Sequence, residues 1–347
     1  VYMVGNKTMT IQAGTTIKGS FSGTDVAALI ITRGSKINAI GTPDAPIVFT
    51  SAAPNPQSGD WGGIVLCGKA AINTSFNGIN GLYQVEGGVD NANGDGLAGS
   101  GDPTTPTPVN DDNSGTLSYV RIEYAGYAFQ PDKEINSLTM ACVGSGTTID
   151  HVQTTYAKDD AFEWFGGTVN CKHLIAYSSV DDDFDTDFGY RGKVQFGLSI
   201  RNENLSDAPG DSNCFESDND SQGSAAQPLT APIFSNFTII GAKANGTVSL
   251  PIGEKFEKAF RLRRNTATSV FNTIVTGWEK GLSIEGLPVE DNILGDTMHF
   301  HSNILSNFNP GTVCITITPG LLSSYFSQNA NDSVSTHSNI NWVNSPS

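Results

Sequence analysis

Apolar and polar residues alternate along short runs that close on Gly, Asn, Asp or Pro through most of the chain. Leu117-Ser-Tyr-Val-Arg-Ile-Glu-Tyr124, Ile149-Asp-His-Val-Gln-Thr-Thr-Tyr156 and Cys171-Lys-His-Leu-Ile-Ala-Tyr177 are examples. A two-residue period rich in Val, Ile, Thr and aromatics predicts strands with one face buried, not helices. The strands also repeat. Ala161-Phe162-Glu163, Asp183-Phe184-Asp185, Cys214-Phe215-Glu216 and Ala259-Phe260-Arg261 share a pattern, with Gly281-Leu282-Ser283 as a weaker copy. Phe162 and Phe184 lie 22 residues apart, as do Phe260 and Leu282. Such a spacing predicts stacked turns of a solenoid, with the aromatic in an inner column and the next residue outside. Glu163, Asp185, Glu216 and Arg261 would then form a charged ladder on one face.

The same register places Asp181 over Asp159, Asp182 over Asp160, His173 over His151 and Cys171 over Ile149. Near the N-terminus, Met9–Ile17 aligns with Ile30–Ile37 through Gly14 and Gly34, an offset of 20 residues. The expected architecture is all-β: one elongated β-solenoid over 1–347, with clear repeats at about 9–310. Residues 311–347 are expected to form a capping or irregular segment. Three insertions interrupt the period, near 75–114, 202–212 and 218–230, the first and longest being rich in Gly, Asn, Asp and Pro.

Composition agrees with a turn-rich β protein, at 16% charged residues and 38 Gly. The net charge of −16 disfavours nucleic acid and anionic lipid, which need clustered Lys and Arg. It suits divalent cations, cationic ligands or neutral sugars. No apolar span has transmembrane length. Five cysteines without a CxxC pair point mainly to buried thiols. Few Lys and much Ser, Thr, Asn and Gly suggest an extracellular or outer-cell-surface protein, and a start at Val1 suggests a mature or trimmed chain.

The acidic residues concentrate in Asp159-Asp160, Glu163, Asp181-Asp182-Asp183, Asp185, Asp187, Glu216, Asp218 and Asp220. Like charges stacked one rung apart repel, by about 0.2–1 kcal/mol per exposed pair. A divalent cation would offset this, and Ca²⁺ takes oxygen ligands of this kind. The nine aspartates of the region are the candidate metal ligands. Raised carboxyl pKa values are the other route, and they suit acid catalysis. Glu163, Asp182, Asp185 and Arg261 are accordingly the catalytic candidates. Arg261, near Arg263 and Arg264, also serves to neutralise the end of the ladder. Trp164 and Tyr190 flank it and are candidate sugar-stacking surfaces alongside Glu216 and Arg261; Trp61 and Trp278 are weaker ones, and core filling is the alternative for each. Asn91–Gly96 resembles the start of a calcium loop without its later ligands. His151 and His173 suit a transition metal but show no third ligand, and His299 and His301 share one strand face.

Trp61-Gly-Gly-Ile-Val-Leu, Asn113-Ser-Gly-Thr-Leu-Ser-Tyr-Val-Arg-Ile-Glu-Tyr, Asp160-Ala-Phe-Glu-Trp-Phe-Gly-Gly and Asp183-Phe-Asp-Thr-Asp-Phe-Gly-Tyr carry a resemblance. The chain resembles secreted or cell-surface right-handed parallel β-helix proteins of Bacteroidota and marine bacteria, over residues 9–310. The resemblance implies a single right-handed parallel β-helix and an exported protein, and it implies no activity. A looser similarity links the chain to pectin-degrading β-helix enzymes. Of the polygalacturonase set, Asp181-Asp182 is present but Gly-His-Gly and Arg-Ile-Lys are missing. Pectate-lyase chemistry would need Ca²⁺ and a base, for which Arg261 is the candidate.

The function expected from these readings is binding of a glycan or a cell-surface protein through an acidic, calcium-associated face. Two alternatives stand beside it: a polysaccharide lyase or glycoside hydrolase on the same carboxylates, and a structural surface-layer or fibre component. Binding is favoured over catalysis, and no organic cofactor is expected.

Overall fold

The computed structural model describes residues 1–21, 26–130, 133–207, 212–243, 256–306, 313–321, 325 and 328–334. Two long parallel sheets run through them, one of 10 strands and one of 14. Among the described residues there is one α-helix, Leu287–Leu294. The structure is a parallel β-helix. Most of segment 311–347 and part of the insertion near 202–212 lie outside the described residues.

The inner column forms as its spacing predicts. In the first sheet Phe162 pairs in register with Phe184, Phe184 with Phe215, Phe215 with Phe260 and Phe260 with Leu282. Successive phenylalanine rings stack with centroids 5.7, 4.9 and 5.0 Å apart. Ring contacts add to the gain from burial alone. Phe184 also meets Phe237 edge-on, and Phe215 meets both Phe234 and Phe237 of the second sheet. Glu163, Asp185, Glu216 and Arg261 alternate with this column and so face outward together.

The second sheet contains the long strands Gly115–Glu123, Thr148–Thr155, Asn170–Tyr177, Lys193–Ile200 and Ile233–Ile240. Each bends at one left-handed residue: Tyr119, His151, His173, Phe196 and Asn236, with φ of 51, 53, 52, 65 and 61°. The register steps over the bend, from Ser118↔Asp150 to Val120↔Val152. Cys171 pairs with Ile149, as the 22-residue register requires.

The N-terminal register differs from the expected 20-residue offset. Met9 pairs with Ile37 in the second sheet, while Ile30 pairs with Tyr2 in the first. Both segments are a strand, a glycine turn and a strand. Sequence similarity therefore aligned modules that belong to different faces of the solenoid.

The insertion near 75–114 is built of hairpins, Ser75–Phe76 with Ile79–Asn80 and Leu82–Gln84 with Leu97–Gly99. It covers part of the first sheet's outer face, where Val85, Val89 and Ala98 form a second core with Ile30, Val65, Cys67 and Phe165. Cys67, Cys142, Cys171 and Cys214 are buried, Cys314 is half-buried, and none forms a disulfide. Desolvation pushes the Cys67 and Cys171 thiols up to about 12. Ellman's reagent is expected to modify at most Cys314 in the native protein and all five thiols after unfolding. Rapid modification of two or more in the folded state would contradict this packing.

Candidate functional site

The outward ladder lies in a cavity of about 310 Å³ on the first sheet. Its floor carries Glu163, Asp185, Glu216 and Arg261, and one wall carries Asp159, Asp160, Asp181 and Asp182 at the ends of the preceding turns. The insertion adds Glu86. The hairpin of Ala128–Gln130 and Lys133–Glu134 adds Glu134, with Asn136 just beyond it. Nine carboxylates thus face two arginines, Arg261 and Arg263.

Glu163 pairs in register with Asp185, and Asp185 with Glu216. Within each of three groups, one carboxylate oxygen per residue lies within 4.8 Å of the others. These are Asp159–Asp160–Asp181, Asp160–Glu163–Asp185 and Asp182–Asp185–Glu216. Shared members join them into one array. Oδ1 of Asp185 is shielded from solvent and accepts no hydrogen bond.

Part of the array also holds the backbone. The Asp160 amide donates to Asn136 Oδ1 at 3.2 Å, and the Asp182 amide to Asp160 Oδ1 at 2.9 Å. On the next turn the Asn213 amide donates to Asp182 Oδ1 at 2.5 Å. Each carboxylate in this column therefore ties down the rung above it. The Asn136 amide group also donates to Glu163.

Desolvation first, then neighbouring carboxylates, push Asp159, Asp160, Glu163, Asp181 and Asp185 well above the usual carboxylate range. Asp182 is raised to about 7 by desolvation and Glu216, against a hydrogen bond from Asn213. Asp159, Asp181 and Asp185 keep partial exposure, and water reaching them moderates the effect.

At the far end the arginines are engaged. Arg261 Nη1 lies 3.0 Å from Glu216 Oε2 and its Nε 3.4 Å from Glu285 Oε2. Arg263 bonds Glu216 and, at 2.8 Å, Asp218. Desolvation opposes the charge on Arg261, but Glu216 and Glu285 outweigh it and raise its pKa. A base that must lose a proton is poorly served there. Neutralisation of the ladder end is the role its contacts support.

Several expected site residues lie elsewhere. Trp164 and Tyr190 are fully buried and stack on each other at 5.3 Å, so they are core and not sugar platforms. Trp61 and Trp278 are buried as well. Trp164 falls on the same side of its strand as Phe162, and the two-residue alternation turns both inward. Asp183 also points inward, to Arg201, and cannot join the metal ligands outside. Asp187 Oδ1 accepts its neighbour's amide, from Phe188 at 2.6 Å. Asp218 is taken by Arg263 and Arg264. Asp220 caps a turn through Gln222 and Ser224. In Asn91–Gly96 the side chains bond within the loop, Asn91 Nδ2 donating to Asp95 at 2.9 Å. Glu86, Glu134 and Asn136 were missed, because they reach the cavity from an insertion and a hairpin outside the repeat.

The family model described as a pectate-lyase like beta helix domain matches residues 1–343. The chain belongs to this pectate-lyase-like β-helix family. Comparison with curated proteins and with solved structures gives no match. Family membership agrees with the two parallel sheets and gives the chain a carbohydrate-related context. Among the described residues no helix is long and apolar enough to cross a membrane.

Proposed function

We propose that this β-helix is an exported protein whose acidic cavity binds a divalent cation, Ca²⁺ first, and through it an acidic glycan. The observation that carries the reading is the array around Asp185: oxygen donors from three turns, with one shielded carboxylate oxygen lacking any hydrogen bond. A buried acceptor left in that state costs about 1–3 kcal/mol. A hard cation satisfies it and removes the repulsion between rungs at once. Asp160, Glu163 and Asp185 would hold the ion, which would supply charge neutralisation and a bridge to a uronate carboxylate. The net negative charge supports the cation, and the family supports a carbohydrate as the ligand it bridges.

Calcium added to chelator-treated protein near neutral pH is expected to raise Tm, by about 2.7 kcal/mol of stability at 100 times Kd. Asp185→Asn is expected to abolish most of that gain while leaving the protein folded. Polygalacturonate is then expected to bind in calcium and not in chelator. A melting temperature indifferent to Ca²⁺ would remove the cation, and glycan binding unaffected by chelator would remove the bridge.

One observation favours a second reading, glycoside hydrolysis. Asp182, raised to about 7, is poised to donate a proton near neutral pH, beside the carboxylates of Asp185 and Glu216. New reducing ends from an acidic polysaccharide, lost in Asp182→Asn, would establish it. A lyase is less well served, since Arg261 is held charged. Failure of both glycan binding and turnover would leave the structural role.

A further inference from the structure

A separate cluster stands on the second sheet, where each long strand bends. There the side chains of Tyr119, His151, His173 and Phe196 stack in one column. Tyr119 lies 4.4 Å from His151, His151 4.2 Å from His173 and His173 5.1 Å from Phe196, centroid to centroid. The column borders a groove of about 610 Å³. The ring faces are occupied by one another, so they offer little to a sugar. The nitrogens are another matter.

Asp150 precedes His151, and on a straight strand the two would face opposite sides. The left-handed residue at His151 breaks that alternation. As a result Asp150 Oδ1 lies 2.9 Å from His151 Nδ1 and 2.7 Å from His173 Nδ1. One carboxylate oxygen thus meets two imidazole nitrogens. The His173 contact is a hydrogen bond. His151 Nδ1 is shielded from solvent and makes none, which leaves a polar atom unexplained.

We infer that Asp150, His151 and His173 form a transition-metal site, suited to Zn²⁺ and its borderline-soft neighbours. The three donor atoms lie within 4.8 Å of one another. An ion with bonds of about 2.0–2.2 Å to N and O would use the His151 nitrogen that no proton partner satisfies. Two nitrogens and one oxygen also separate this site from the all-oxygen cavity, which suits Ca²⁺. Each side chain is between 36% and 41% exposed, so a further coordination position opens to the groove. The inference does not depend on the acidic cavity being a site.

The test is calorimetric titration of the full chain with Zn²⁺ in excess Ca²⁺, followed by Co²⁺ absorption. One Zn²⁺ per chain is expected, with His151→Asn and His173→Asn each weakening it at least ~10-fold. Asparagine is the right probe because it tolerates the left-handed backbone, and Asn236 already occupies the equivalent bend. Circular dichroism confirms that the variants remain folded. The double substitution of His299 and His301 by Asn is expected to leave affinity unchanged. Co²⁺ bound to the wild type is expected to show ligand-field bands that His151→Asn abolishes. Absence of Zn²⁺ binding, or binding that both histidine variants leave intact, would overturn the inference.

Discussion

Replacing Arg201 with Met is expected to cost about 3–5 kcal/mol of stability, read as a lower urea midpoint at neutral pH. Arg201 and Asp183 are wholly buried inside the solenoid. Arg201 Nε donates to Asp183 Oδ2 at 3.1 Å and its Nη1 to the Ser179 carbonyl at 2.8 Å, and its third nitrogen bonds the Asn213 carbonyl. Ser199 donates to the same carboxylate oxygen at 2.5 Å, and the guanidinium lies over the Trp278 ring at 5.3 Å. Removing the arginine leaves a buried carboxylate without its counter-charge and two carbonyls short of a donor. Desolvation already holds the Asp183 carboxyl above its usual range, with Arg201 opposing it. The loss should therefore shrink at acid pH, where Asp183 protonates. Arg201→Met combined with Asp183→Leu is expected to recover much of the stability, because apolar replacement of a whole pair is often neutral or better. A single-variant loss under about 1 kcal/mol would show that the pair contributes little.

The second large effect is on pH. In chelator, stability is expected to fall as pH rises from about 4 to about 8. Asp159, Asp160, Glu163, Asp181, Asp182 and Asp185 all have folded-state pKa values raised above their unfolded values. The folded protein thus binds more protons than the unfolded chain in this window. Their contribution is fully present below the unfolded value and is lost as pH passes the folded value, about 7 for Asp182. Each unit of upward displacement withdraws roughly 1.4 kcal/mol, so Asp182 alone accounts for roughly 4 kcal/mol at most. Calcium should flatten the fall, since a cation replaces the protons. Thermal melts across the range, with and without Ca²⁺, measure both slopes. A chelated protein whose Tm rises from pH 5 to pH 8 would contradict the assignment of these carboxylates.

The 22-residue spacing of Phe162 and Phe184 was enough to read the solenoid, the inner ring column and the outward ladder. A stacked repeat forces residues at one period into one column, so register follows from arithmetic once the period is right. The separate 20-residue offset failed at Met9 and Ile30, where two modules look alike but occupy different faces. The ladder was legible for the same reason: alternation along a strand puts Glu163 and Asp185 outside whenever Phe162 and Phe184 are inside. That rule also turns Trp164 inward, so core filling prevailed over sugar stacking there.

Which carboxylates act together was decided only in three dimensions. Asp183 turns inward to an arginine 18 residues away, and Asp218 is drawn to arginines of the next turn. Glu86, Glu134 and Asn136 close the cavity from segments that follow no period. Asp150 became a partner of two histidines because one left-handed residue reverses the facing of its strand. The sequence by itself determined the column and its ladder, because period and alternation are local. Tertiary structure chose the partners of each charge, because insertions, bends and ion pairs bring together residues that no period relates.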